Sequence, residues 1–451
     1  MSDAPFRFNS LVFAGHTQYQ HSMKLIPLTL LAPMITFASD FPAPSSLPVV
    51  PTLPNPLVAC DGTAIKTREQ WETLRRPELR ALFEHYMYGR QPAKPARTGV
   101  KLRVADKAAL GGAATLREFD VELGLERPAR LLVVTPNGKS VPAACFLGLN
   151  FGGNHQLLDH PGIAVPEIVV QHKDGAGSGE AAKAQDRGKE SDVWNITRTI
   201  QRGYAVASFF QGDVVPDDAA SAEPILRRLS GNPATERGPA DTATIMAWAW
   251  GFSRMLDALE TLPEIDARRV ATVGHSRNGK TALLAAAFDE RFALAIASQA
   301  GCGGSAPSRV APELAKPNAQ GRPTVETLAM INKNFPHWFA GNFKAFNDQP
   351  ARLPFDQHCL IALCAPRPVL LSCASEDLWA NPAGQFEMLR AADPVYRLLA
   401  GDGLGAQEKP EIGRLLPSRL GYFIRDGKHS MNGVDWAAWL DYADLWLRAK
   451  R

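Results

Sequence analysis

This chain of 451 residues has no block of like charge, and its 49 basic and 46 acidic residues leave a formal net charge of only +3. Nothing in that balance points to nucleic acid or to a charged membrane surface as a partner. Cysteine is scarce too. There are six, with no C-x-x-C pair among them, which argues against a zinc site. Cys145, Cys364 and Cys373 sit in apolar runs and read as buried thiols; spacing alone assigns no disulfide. Long hydrophobic runs are also missing. Residues 25–37 make an apolar stretch of 13, short of the ~20 residues that a membrane-spanning helix needs. No internal repeat is visible. What is present, 45% hydrophobic and 21% charged residues, suits a globular chain with a large core.

The apolar stretch follows Met23-Lys24 and ends at Ala38-Ser39. A short basic start, a short apolar middle and a small-residue end read as a secretory signal peptide, with Met23 a candidate start of translation. The plainer alternative is an apolar tail. On the first reading, residues 1–38 are an N-terminal segment and the protein works in the periplasm or outside the cell. Residues 39–57 are proline-rich without periodicity and read as an extended linker. Residues 68–88 have helical spacing through Trp71, Leu74, Leu79, Leu82 and Phe83, with Gly89 as a C-cap.

From residue 99 the chain alternates strands with helices. Strands are expected at 101–104, 116–123, 129–135, 143–149, 204–210, 270–273, 294–298, 369–373 and 420–424. Several are near-continuous apolar runs, as strands buried on both faces of a parallel sheet require. A long helix is expected within 240–262 and another over 281–288. Early hairpin-like strands followed by strand–helix alternation predict one α/β domain over 58–451. It would be a doubly wound, mostly parallel sheet with helices on both faces, a three-layer sandwich. Two polar insertions, 172–191 and 305–322, fall where loops at the carboxyl ends of strands gather and shape substrate sites, unless they are merely tolerated at the surface.

Residues 269–280 carry the chemistry. A short strand runs into Gly274-His275-Ser276, and an alanine-rich helix follows. A serine between strand and helix with small neighbours is the pattern of a nucleophile elbow, although the usual second glycine is replaced by Asn278 and comes one place later, at Gly279. The bland reading is a capping serine in an ordinary turn. A serine hydroxyl needs a base, and the base needs an orienting carboxylate. In α/β-hydrolases these follow in the order serine, acid, histidine. His429, in the loop after the last strand, fits the base, whereas His337 and His358 precede the acid region. Ser375-Glu376-Asp377 follows strand 369–373, and residue chemistry alone does not choose between Glu376 and Asp377. The rival acid position, after strand 294–298, holds Gln299, which carries no charge to stabilise an imidazolium. The Arg277 backbone N–H and the loop Asn150-Phe-Gly-Gly-Asn154 are candidates for the two oxyanion donors, and the Arg277 side chain could add a charge.

The segment Gly274-His-Ser-Arg-Asn-Gly-Lys280 resembles the G-C/H-S-R-x-G-K elbow of glucuronoyl esterases, carbohydrate esterase family fifteen. Phe83-Glu-His-Tyr-Met-Tyr-Gly-Arg90, Gly301-Cys-Gly-Gly304, Asn334-Phe-Pro-His-Trp-Phe339, Ser375-Glu-Asp-Leu-Trp379 and Gly427-Lys-His429 extend the likeness from about residue 60 to the end. The resemblance implies the α/β-hydrolase fold and an extracellular serine esterase without metal or organic cofactor. It would act as a monomer on 4-O-methyl-glucuronoyl esters of glucuronoxylan, the lignin–carbohydrate cross-links. By motif match it makes Ser276 the nucleophile, His429 the base and Asp377 the acid. Arg277 becomes an oxyanion contact, and Lys280, Glu326 and Trp379 become contacts to the sugar. Family members often carry a carboxylate where this chain has Gln299, so the acid rests on one site. Bland readings stand beside these: Arg277 and Lys280 as helix-surface cations, Glu326 as a helix N-terminal charge. Two alternatives are an acetyl xylan or other small-ester esterase on the same fold, and a non-catalytic carbohydrate-binding module. The second of these usually lacks part of the triad.

Overall fold

In the computed structural model the described residues are 41–96, 99–167, 169–170, 180–310, 314 and 324–448. The expected signal peptide, the first part of the first insertion (172–179) and most of the second lie outside them. Residues Ser39–Arg451 form one compact unit.

Nine strands build one sheet: β1 (Val100–Ala109), β2 (Ala114–Val121), β3 (Ala129–Pro136), β4 (Ala143–Asn150), β5 (Ala205–Phe210), β6 (Ile265–His275), β7 (Leu294–Ser298), β8 (Val369–Ala374) and β9 (Leu420–Arg425). Their order across the sheet is β1-β2-β3-β5-β4-β6-β7-β8-β9. The pairs β1–β2, β2–β3 and β3–β5 are antiparallel, and from β5 to β9 every pairing is parallel. All nine expected strands are present. The parallel ones are read readily because they are buried on both sides: β4, β5, β7, β8 and β9 have no exposed residue.

Alternate residues of each strand feed two cores. On one face Cys145, Leu147 and Val270 meet α2 (Thr244–Leu259) and α3 (Arg277–Phe288), together with α1 (Arg76–Phe83), α4 (Gln357–Leu363) and α5 (Pro382–Ala400). On the other, Phe146, Ala271 and Val273 meet Trp194 and α6 (Gly433–Trp446), through Trp436 and Trp439. Each large apolar side chain so buried contributes about 1.5–3 kcal/mol. The result is the three-layer arrangement of an α/β-hydrolase.

Residues 68–88 are continuously helical, as their spacing predicts, and Gly89 ends them at φ +79°. A Cβ at Gly89 would stand 2.1 Å from the carbonyl oxygen of Asp241, so only glycine fits there. The proline-rich stretch 39–57 departs from expectation. From residue 41 it lies along the domain as a strap: Tyr86 Oη donates to Pro42 O at 2.6 Å, Val50 N to Ala351 O at 2.8 Å, and Leu47 is buried. Prolines lack donors and fit extended backbone, and here the carbonyls and one amide of that backbone find partners on the domain. Helices α4 and α5 were not expected; Pro382, Gly384 and Pro394 interrupt the apolar rhythm of α5, although proline is tolerated in a first turn.

Candidate active site

Strand β6 delivers Ser276 into the turn before α3. Ser276 has φ +59° and ψ −128°, a region that L-residues avoid at a cost of order 1–3 kcal/mol. Three contacts fix it. Ser276 N donates to Ser298 O at 2.9 Å, and Gly279 N and Lys280 N donate back to Ser276 O at 2.9 and 3.1 Å. A Cβ at Gly274 would fall 2.0 Å from the carbonyl oxygen of Asn278. The turn therefore needs glycine before the serine, and it needs Gly279 after it as well, where a Cβ would stand 2.8 Å from Ser298 O. Position 278 tolerates a side chain, whose Nδ2 donates to Leu149 O at 3.0 Å and ties the turn to the end of β4.

His429 follows β9, and its Nδ1 lies 2.7 Å from Asp377 Oδ2. Asp377 follows β8 and is buried, while its neighbour Glu376 is exposed. That difference separates two carboxylates that residue chemistry left equivalent. Ser276 and His429 line one cavity of about 200 Å³, with Phe151, Trp194, Val273 and Met431. Hollows of about 580, 550 and 520 Å³ lie elsewhere among the described residues, and Ser276 lines none of them. Chemistry rather than size selects the site. Glu190, in the described half of the first insertion, lines the same cavity, and its N–H donates to Gln156 O at 2.8 Å. Of the second insertion, residues 305–310 and 314 are described, and none lines it.

Arg277 is not a surface cation. Its guanidinium is buried, paired with the Asp217 carboxylate, and faces the rings of Trp338, Phe335 and Phe151 at 4.8, 5.2 and 5.8 Å. Asp217 also accepts from Trp338 Nε1 at 2.7 Å and lies 2.9 Å from His337 Nε2. Burial pushes the Asp217 carboxyl up, but the His337 contact, the Arg277 charge and the Trp338 hydrogen bond outweigh it and hold it at about 2. Sequence reasoning missed Asp217. It stands 60 positions from Arg277 in a loop with no motif. The folded value lies below the ordinary 3.8, so the ionised carboxylate contributes stability above about pH 4 and loses it as the pH falls toward 2. Asp217→Asn should therefore melt well below the wild type at pH 6, with the gap narrowing below pH 4. A gap constant down to pH 2.5 would contradict this.

Lys280 and Glu326 are both buried, at 5% and 6% exposure. Lys280 is therefore not the helix-surface cation of its bland reading, whereas Glu326 does stand just before Thr327, the N-cap of the helix Leu328–Asn334. Lys280 Nζ donates to Ala300 O at 2.6 Å. Burial lowers the Lys280 pKa against the pull of Glu326, and burial raises that of Glu326 against Lys280 and a hydrogen bond from Trp379. Each is pushed toward its neutral form, and a polar ligand entering between them would relieve that penalty. Trp379 is 40% exposed, and its carbonyl accepts from Glu326 N at 3.2 Å. The electrostatic reach of Glu326 extends to His429 and Arg277. The fold thus gathers Ser276, Arg277, Lys280, Glu326, Asp377, Trp379 and His429 into one neighbourhood. The glycine loop after β4 fits its expected part less well. Gly153 N already donates to Asn150 Oδ1 at 2.7 Å and is not available to an oxyanion.

A family model described as glucuronyl esterase, fungi, matches residues 235–400. Carbohydrate esterase MZ0003, from an unknown prokaryotic organism, is 40% identical over 397 residues, covering 87% of this chain and 89% of that protein. The solved glucuronoyl esterase of Solibacter usitatus is 34% identical with a TM-score of 0.79, covering 90% of this chain and all (100%) of that one. The chain belongs to the glucuronoyl esterases, carbohydrate esterase family 15. A more distant relative, 4-O-methyl-glucuronoyl methylesterase 1 of Phanerochaete chrysosporium, is 28% identical over 82% of this chain and 66% of that protein. Among the described residues no group of three or more His, Cys, Asp or Glu could hold a metal, and no helix is long and apolar enough to cross a membrane.

Proposed function

We propose that this glucuronoyl esterase hydrolyses esters of 4-O-methyl-glucuronic acid on xylan, including those to lignin alcohols, through Ser276, His429 and Asp377. The observation that carries the reading is the 2.7 Å contact of His429 Nδ1 with the buried Asp377, beside a strained Ser276 in the same cavity. Ser276 Oγ attacks the ester carbonyl while His429 takes its proton. The backbone N–H of Arg277, at the N-terminus of α3, faces the developing oxyanion, and the side chain of Arg277 adds positive charge. Collapse expels the alcohol, which leaves with the proton held by His429. Water, activated by the same ring, then splits the acyl-enzyme and releases the uronate.

Lys280 and Glu326 fit sugar hydroxyls, and Trp379 offers an exposed ring face to a pyranose. The competing reading, an esterase for acetylated xylan or other small esters, shares the triad but gives no task to the buried Lys280 and Glu326. Comparing kcat/KM for benzyl glucuronate and 4-nitrophenyl acetate separates the two. The uronate ester should be favoured by at least tenfold despite the better leaving group of the acetate. Preference for the acetate would defeat the uronate assignment and leave the triad standing. The signal peptide and the working place outside the cytoplasm belong to this proposal as well.

A further inference from the structure

Gln299 stands where the first residue after β7 could have supplied an acid, and its neutrality raises the question of what it does. Its backbone has φ +48°, a left-handed conformation that is uncommon outside glycine, asparagine and aspartate. Such strain persists only where the surroundings impose it. Here Gln299 N donates to Ser372 O of β8 at 2.7 Å. The side chain is buried, and both ends of its amide go to one residue: Nε2 donates to Ser430 O at 2.6 Å, and Oε1 accepts from Ser430 N at 3.0 Å.

Ser430 is the residue after His429. The preceding residue, Ser298, accepts from Ser276 N at 2.9 Å through its carbonyl. Two consecutive residues therefore hold the backbone of the elbow serine on one side and the backbone of the histidine loop on the other. Arg425 secures the same loop from beneath. It donates to Lys428 O at 3.0 Å and to Ser430 O at 2.8 Å, and its Nε is anchored on the buried Asp435 at 2.9 Å. A side-chain amide can donate and accept side by side, and so meets both the C=O and the N–H of one residue. A carboxylate has no donor to offer Ser430 O.

We infer that Gln299 is a positioning residue: with Ser298 it forms a spacer that sets the approach of His429 to Ser276. The inference rests on the proposed roles of that pair. Displacement of a catalytic group by about 1 Å can cost about a hundredfold in rate, so losing both amide bonds should appear in kcat and leave KM nearly unchanged.

The test uses Gln299→Gly, which relaxes the left-handed backbone while removing the amide, and Gln299→Met, which keeps the length. In both, kcat on methyl glucuronate should fall tenfold to a hundredfold with KM within twofold. The second-order rate of labelling by a fluorophosphonate should fall in parallel, because that reaction needs the serine and histidine but no sugar. The inference is overturned if kcat and labelling stay within twofold of the wild type in the folded variants, or if the loss appears in KM alone. Should Gln299→Met fail to fold, Gln299→Gly decides. If wild-type enzyme labels rapidly but leaves glucuronate esters intact, the substrate assignment fails while the spacer is still judged by the labelling rates.

Discussion

Replacing Ser276 by alanine is expected to lower kcat on a glucuronate ester by about a millionfold, the order seen when a triad serine is removed from a protease. The fold should be untouched. Residue 276 is strained at φ +59° in the native protein, and alanine meets the same backbone penalty as serine. The contacts that residue 276 itself makes in holding the turn are all main-chain: Ser276 N to Ser298 O, and Gly279 N and Lys280 N to Ser276 O. The melting temperature should therefore stay within a few degrees of the wild type. An alanine variant that keeps more than a hundredth of the activity would mean that the hydroxyl is not the attacking group.

The second large effect belongs to Asp377. Its Oδ2 faces His429 Nδ1 at 2.7 Å, and its Oδ1 accepts from Ala380 N at 3.4 Å, which fixes the carboxylate at the head of a short turn. Asparagine has the same size but can present an N–H to the ring, which stabilises the wrong tautomer, and it offers no charge to the imidazolium. A loss in kcat of about ten-thousandfold is expected, as for the corresponding change in a serine protease. The sensitivity should be this large because Gln299 is neutral and its amide is spent on Ser430. Glu376→Gln is the internal control. Glu376 is exposed, so its loss should change kcat less than twofold. Equal losses at 376 and 377 would show that general charge near the loop, not an oriented carboxylate, supports the histidine.

Much of this was legible in the sequence, for a physical reason. The central strands are buried on both faces and must be apolar throughout, so 294–298 could be read off as a run, and the elbow announces itself by a glycine whose Cβ would strike Asn278. The choice between Glu376 and Asp377 was not legible, because it depends on burial: one side chain turns to solvent and its neighbour inward. Asp217 was invisible for a related reason. Its partners come from two distant segments, Arg277 in one and the adjacent His337 and Trp338 in the other, and no local spacing marks a carboxylate that only the assembled fold pairs with an arginine. The strap at 41–57 was misjudged because proline-rich composition reports extended backbone and is silent about what that backbone lies against. Gln299 read as an absence, a missing acid, and only its two hydrogen bonds to Ser430 give it a task.

A covalent uronoyl ester at Ser276 is the central intermediate of the proposed mechanism. Rapid-quench mass spectrometry of enzyme mixed with benzyl glucuronate, followed by tryptic digestion, tests it directly. Cleavage after Arg269 and Arg277 isolates residues 270–277. That peptide should carry one glucuronoyl group during steady-state turnover, in larger amount with Asp377→Asn if deacylation is slowed more than acylation, and none with Ser276→Ala. Turnover with no adduct on that peptide, or an adduct on any other, would contradict the mechanism.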